Sequence, residues 1–103
     1  IDNTGDLRVG AFGSNVTLDG TLMDEVAIYN AALSSADVDK LYNLGKPTDL
    51  SLAASYDTDR TSNLLSWWRM GDGTGDNSST IVDQAGSNNG TLVNSPTIVT
   101  DVP

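Results

Sequence analysis

The stretch L-D-G-T-L-M-D-E-V-A-I-Y-N, residues 18 to 30, decides the fold expected for this chain. A D-G turn signal precedes a β-prone run of residues. Alternation predicts a strand over 22–30 with two largely apolar faces, as in a buried sheet. Asp24 is the exception, because it lies in line with aliphatic side chains. If Asp24 is buried, it needs a cation, an arginine or several N–H donors.

Composition excludes several classes of function. The 103 residues carry 5 basic and 14 acidic side chains, a net charge of −9, so we expect no nucleic-acid partner and no anionic membrane surface. The chain has no cysteine and no histidine, which removes thiolate chemistry and the usual general base. No apolar run approaches the ~18 residues of a membrane span. Because the first residue is isoleucine, we expect a fragment or a processed product.

A short helix follows the opening stretch. Ser34 is a good N-cap, Asp37 completes a weak capping box, and Gly45 is placed to end the helix. We therefore predict an α-helix near residues 35–44, too short to be stable alone. Its apolar stripe is expected to dock on a sheet and consists of Val38, Leu41 and Tyr42.

The second half begins with another strong strand. Residues 47–62 are polar and contain a proline, which predicts a linker with at most one helical turn. L-L-S-W-W-R-M, residues 64 to 70, alternates so that Trp67 and Trp68 point to opposite faces. A glycine-rich loop, G-D-G-T-G-D-N, and several short turns follow, so residues 63–103 are expected to form a β-rich tail.

Two groups of motifs resemble a known family. D-G-T-L-M-D-E-V-A-I-Y-N-A-A-L-S, followed by a short helix and L-Y-N-L-G, is similar to the C-terminal end of laminin G-like, concanavalin A-like jelly-roll domains. L-L-S-W-W-R-M-G-D-G and I-V-D-Q-A-G-S-N-N-G-T-L resemble the opening strand and loop of that family. W-W-R-M-G-D-G, N-N-G-T-L and the closing D-V-P also resemble C-terminal tails of structural proteins from marine tailed bacteriophages.

The resemblance implies a mainly β fold, a partial antiparallel jelly roll or β-sandwich-like unit with one short helix near residues 35–44. Residues 1–46 would be the C-terminal part of the jelly roll, 47–62 the linker, and 63–103 the tail. First and last strands are neighbours in this family, so we expect 64–70 to pair antiparallel with 22–30, within the chain or across subunits.

Asp24 is the first candidate site residue. The resemblance implies calcium near its strand, and Asp24 with Asp83 and carbonyl groups of the loop 87–90 could supply the oxygen ligands that Ca²⁺ prefers. The alternative is a structural ion pair between Asp24 and Arg69, which requires the two strands to be adjacent. The loop 71–77 lacks the spacing of a calcium loop and is expected to be a mobile turn.

The tryptophans are the second candidate site. Together with Tyr29 and Tyr42, Trp67 and Trp68 could form a platform on which a glycan stacks. Packing in the core is the alternative, and only an exposed tryptophan would favour the platform. Catalysis has no credible constellation, because the adjacent acids Asp24 and Glu25 point to opposite faces of a strand.

These observations lead to one expectation and one alternative. We expect a non-catalytic structural protein of a phage virion, in a fibre or in a head, neck or tail decoration, where it contacts other subunits as a homo-oligomer such as a trimer. The alternative is an extracellular carbohydrate-binding, lectin-like module. Structural Ca²⁺ is the only cofactor that the sequence suggests.

Overall fold

Short strands and one helix make up the part of the chain that can be described. The computed structural model describes residues 5–12, 16–17 and 20–99. The elements, in chain order, are β1 (Ala11–Phe12), β2 (Val16–Thr17), β3 (Val26–Tyr29), α1 (Ser35–Tyr42), β4 (Leu64–Trp68), β5 (Thr80–Ile81) and β6 (Gly90–Thr91). They pair as three two-stranded antiparallel ladders, β1 with β2, β3 with β4, and β5 with β6.

The ladder of β3 and β4 is the centre of the molecule. Ala27 lies opposite Trp67 and Ile28 opposite Ser66, and the register shifts after Ile28. The two predicted strands therefore pair antiparallel within one chain. β3 begins later than the alternation predicted, because Glu25 has a φ of 50° and leaves the extended conformation just before the strand.

The other edge of β4 is covered by the segment that follows β5. Trp68 forms an isolated antiparallel bridge with Asp83, and the amide of Gln84 donates to the carbonyl oxygen of Trp67 at 2.7 Å. β4 is consequently flanked on both sides, which explains why its last three residues are buried.

The predicted helix is present, but it is turned differently from the prediction. Ser34 caps α1 and forms a capping box with Asp37, as expected, and Asn43 ends the helix in the left-handed region with a φ of 43°. The apolar stripe does not dock on a sheet, because Val38 is 51% exposed and Tyr42 67% exposed. The helix instead turns Asp37 inward, where this side chain is fully buried.

Five apolar side chains are buried among the described residues, namely Leu50, Tyr56, Trp67, Trp68 and Ile81. Two of them belong to the segment predicted as a linker, which is ordered around a 3₁₀ turn at Ala53–Ser55. Tyr56 anchors this segment, since its hydroxyl donates to the carbonyl oxygen of Leu50 at 2.8 Å and its ring meets Tyr29 edge-on.

The described chain is thus mixed α/β, with small antiparallel ladders and one short helix, rather than mainly β. Every strand has between two and five residues. Glycine- and aspartate-rich loops occupy the intervening positions, so the two continuous sheets of a sandwich are not visible in this part of the chain. Nor does any helix in the described ranges have the length and apolar character needed to cross a membrane.

Candidate functional site

A polar network lies at the end of the central ladder where β3 begins. The indole Nε1 of Trp67 donates to Glu25 Oε2 at 2.6 Å, and Arg69 Nε donates to Glu25 Oε1 at 3.3 Å. Arg69 also donates through an Nη atom to Asp72 Oδ2 at 2.6 Å. Its guanidinium carbon lies 5.5 Å from the centroid of the Trp67 ring, a cation–π distance.

The register of the ladder explains why Glu25, and not Asp24, meets Arg69. Val26 lies opposite Trp68 at the end of the ladder, so Glu25 and Arg69 are the next residues beyond the two strands. The predicted ion pair between Asp24 and Arg69 is therefore replaced by one between Glu25 and Arg69. Asp24 instead accepts a hydrogen bond from the amide of Glu25, at 2.9 Å.

Glu25 is the group of this network whose protonation is perturbed. Partial burial raises its pKa, whereas the hydrogen bonds from Trp67 and Arg69 lower it and the charge of Asp24 raises it further. The net effect is a pKa above the ordinary value. Proton uptake by Glu25 would weaken its attraction to Arg69, so the network is sensitive to acid.

The acidic cluster of Asp24, Glu25 and Asp72 is the group of carboxylates that could hold a cation. One oxygen atom of each lies within 4.8 Å of the others. Two of the three already bind Arg69, whose positive charge would oppose a metal ion at the same place. The cluster therefore fits an ion pair with arginine better than it fits Ca²⁺.

Asp83, the other predicted calcium ligand, has a different role. Its side chain is almost fully buried and accepts hydrogen bonds from the backbone amides of four residues, Trp67, Ala85, Gly86 and Asn88. Burial alone would raise the pKa of Asp83, but these amide donors outweigh it and lower the pKa to about 2. The carboxylate is thus occupied by backbone amides of its own loop and of β4.

The carbonyl groups proposed as further ligands do not complete a calcium site with Asp83. The carbonyl oxygen of Asn88 accepts from the indole Nε1 of Trp68 at 2.7 Å. The amide group of the Asn88 side chain donates to Ser66 Oγ at 2.9 Å. This loop is tied to β4 by protein hydrogen bonds, so the carbonyl oxygen of Asn88 and the Asp83 carboxylate already have protein donors.

The tryptophans are in the core and do not form a stacking platform. Trp67 is 5% exposed and Trp68 is 8% exposed, and each indole N–H has a protein acceptor. Tyr29 packs against Tyr56, and its hydroxyl lies 3.1 Å from that of Tyr56. Among the four aromatic residues of the predicted platform, Tyr42 alone is exposed, at 67%, and it lies on the helix.

Asp37 is a structural centre that the sequence indicated only in part. Its Oδ1 accepts from the amides of Asp57 and Thr58, and its Oδ2 accepts from the amide of Ser34 and from Arg60 Nε at 3.0 Å. The Thr58 amide, the Ser34 groups and Arg60 together hold the pKa of Asp37 well below its usual range, against the opposing effect of burial. The capping-box spacing revealed the local contact, but nothing in the sequence indicated Arg60.

The glycine-rich loop after β4 is also organised by a carboxylate. Asp76 Oδ2 accepts from the amides of Gly71 and Gly73, and its Oδ1 accepts from the amide of Val82 at 2.6 Å. These contacts join the start of the loop to the residue after β5. The loop predicted to be a mobile turn is therefore a hydrogen-bonded one.

Comparison with known proteins adds no relative to this picture. Neither the protein-family models, nor the curated proteins, nor the solved structures contain a match to the chain.

Proposed function

We propose that this chain is a non-catalytic structural unit of a phage virion, part of a fibre or of a head, neck or tail decoration, that acts by assembling with other copies of itself. Every buried side-chain nitrogen or oxygen atom among the described residues has a hydrogen-bond partner, which fits polar networks that serve to hold the fold together. The observation that supports assembly best is the distribution of apolar side chains.

More large apolar side chains are exposed than buried in the described part of the chain. Five are buried and eleven are exposed, and the exposed ones range from 39% to 87%. Apolar residues that are exposed singly are ordinary, whereas a contiguous apolar patch marks an interaction site, so the proposal places at least part of these exposed side chains against a neighbouring subunit. The exposed set is Leu7, Val9, Leu22, Met23, Val38, Tyr42, Leu44, Leu52, Leu65, Val93 and Val99.

The proposal keeps the resemblance to the laminin G-like jelly roll as its structural frame. In that family the first and last strands are neighbours, and here β3, from the family-like ending, pairs with β4, from the family-like opening. This pairing supports a jelly-roll-derived unit whose remaining strands come from other subunits. Assembly would also protect the short strands whose edges are open.

The glycan-binding alternative has lost its main support. It required an exposed tryptophan, and both tryptophans are buried. A single exposed tyrosine on a helix offers one ring face where a sugar site needs several convergent groups. The negative surface is compatible with either function, so it does not distinguish them.

Light scattering tests the proposal. The purified chain, 10.8 kDa, should scatter as a multiple of that mass at micromolar concentration, with a trimer as the first expectation. A single-chain mass throughout that range would contradict assembly. A glycan array serves as the parallel test of the alternative, because hits that disappear in Tyr42→Ala would favour a lectin.

A further inference from the structure

The last described segment, residues 93–99, forms an arm beyond the final strand, β6. Before the arm, the amide of Leu92 donates to the carbonyl oxygen of Ser79 at 3.0 Å. Within residues 5–12, 16–17 and 20–99, no hydrogen bond joins the arm to the rest of the molecule. The contact described between the arm and the rest of the molecule is one of side-chain packing.

The packing contact joins Ile98 to Gly71, the second residue of the turn that follows β4. A Cβ atom built on Gly71 would lie 2.5 Å from Ile98 Cγ2, so any larger residue at this position would collide with the arm. We call this space the Gly71 notch. Ile98 is half-buried there, whereas Val93 is 71% exposed and Val99 is 47% exposed. Ile98 is thus the side chain that seats the arm.

The arm begins with a strained hinge. Asn94 and Ser95 have φ values of 63° and 53°, in the left-handed region that residues with a side chain rarely adopt. Ser95 also precedes Pro96, and a residue before proline prefers the extended region. Opening the hinge into an extended conformation would relieve both residues and carry Ile98 away from its own Gly71.

We propose that the arm is exchanged between copies of this chain, so that Ile98 of one copy fills the Gly71 notch of another. A second copy is the occupant because its arm is identical to the one that already fits the notch. Short, strained hinges favour such an exchange, since the same contact forms in either arrangement while the hinge strain is lost. The contact is apolar, so it needs no charge pairing between subunits that each carry a net charge of −9. This inference rests on the proposed homo-oligomer and names the contact that links its subunits.

Disulfide trapping tests the exchange directly, because the chain has no cysteine of its own. The Cβ position at Gly71 lies 3.6 Å from Ile98 Cβ, within the span of a disulfide. The substitutions Gly71→Cys and Ile98→Cys are made in separate copies of the chain that carry different tags. The two copies are then mixed, unfolded together, refolded and oxidised. We expect a covalent heterodimer on non-reducing electrophoresis, several-fold more abundant than in a control that pairs Gly71→Cys with Lys46→Cys, an exposed position outside the exposed apolar set. Equal yields in the two mixtures would overturn the proposal.

A second measurement avoids any substitution at Gly71, because a cysteine at that position would have to adopt an unfavourable φ of 136°. Ile98→Asp in the full chain should reduce the mass seen by light scattering to that of one chain, while near-ultraviolet circular dichroism of the buried tryptophans stays unchanged. Thr97→Asp, at an exposed arm position outside the exposed apolar set, should leave the oligomer intact. An oligomer that survives Ile98→Asp would refute the exchange but not the proposed function, whereas a monomeric wild-type chain would refute both.

Discussion

At the scale of single residues, carboxylates that are buried or half-buried organise the loops. Asp37, Asp76 and Asp83 each accept hydrogen bonds from at least three donors, most of them backbone amides. Loops rich in glycine and asparagine have few apolar side chains with which to form a core, and a carboxylate can satisfy several amides at once. This explains how a chain with short strands keeps a defined path.

Asp83→Asn tests this role. The variant places an amide N–H₂ group against backbone donors, so at least one buried group loses its acceptor, and we expect the free energy of unfolding to fall by about 1–3 kcal/mol. Chemical denaturation followed by tryptophan fluorescence measures the change. Asp39→Asn, at an exposed position on α1, is the matched control and should remain close to wild type. Equal stability of the two variants would show that the amide contacts of Asp83 contribute little.

The pH dependence of stability follows from the same carboxylate. Because the folded-state pKa of Asp83 is lowered to about 2, its contribution is fully present above the ordinary value of 3.8 and is lost as the pH falls towards about 2. The free energy of unfolding should therefore decrease over that window in the wild-type chain. Asp83→Asn should lack this part of the pH dependence, and an identical acid profile in the two proteins would contradict the assignment.

Glycine substitutions test the close approach of the Asp83 loop to β4. A Cβ on Gly86 would lie 2.7 Å from the carbonyl oxygen of Leu65 and 2.8 Å from Asp83 Oδ2, so Gly86→Ala must displace the loop and should cost about 1–3 kcal/mol. At Gly90 the nearest atom is 3.7 Å from the new Cβ, so Gly90→Ala should be tolerated. The melting temperatures of the two variants should differ clearly. Comparable melting temperatures would contradict the close contact between the Asp83 loop and β4.

At the scale of elements, the sequence predicted the partners but not their register. Alternation and capping predicted β3, β4 and α1, because those signals are local. The identity of the residue opposite Arg69 depends on register, and a shift of one position exchanges the two faces of a strand. Asp24 was chosen because the extended conformation was assumed to run through Glu25, whose positive φ ends it.

The orientation of the helix was also not predictable from a local pattern. Its apolar stripe was expected to face a sheet, yet the contacts of Asp37 with Thr58 and Arg60 turn the adjacent face of the helix inward. Those partners are more than 20 residues away, so a local pattern could not reveal them. The buried linker residues Leu50 and Tyr56 were missed for a similar reason, because their polar surroundings in sequence conceal two core positions.

A substitution on the helix distinguishes the two orientations. Val38 is 51% exposed, so Val38→Ala should change the free energy of unfolding of the isolated subunit by no more than about 0.5 kcal/mol. If the stripe were docked on a sheet, Val38→Ala would lower the free energy of unfolding substantially more, since large-to-small changes in a core leave a cavity. Asp37→Asn, on the adjacent inward position, should lower the melting temperature clearly. Denaturation in dilute solution, where subunits are dissociated, measures both variants.

At the scale of the whole molecule, the proposed assembly rests on the exposed apolar side chains and on the arm that begins with the left-handed residues Asn94 and Ser95. Composition predicted an acidic chain without the usual catalytic residues, and this follows from residue counts alone. The exposed apolar surface could not be predicted from sequence, because an apolar residue in a strand or a helix pattern is expected in the core. Only the three-dimensional structure shows which of these apolar residues are exposed.

The measurement that tests the central claim most directly is the molar mass of the chain by light scattering across micromolar concentrations, at about 0.1 M and about 1 M salt. Apolar contacts between strongly acidic subunits predict an oligomer that becomes more complete at high salt, where the repulsion between net charges of −9 is screened. A mass of 10.8 kDa at every concentration and at both salt levels would contradict assembly through these surfaces.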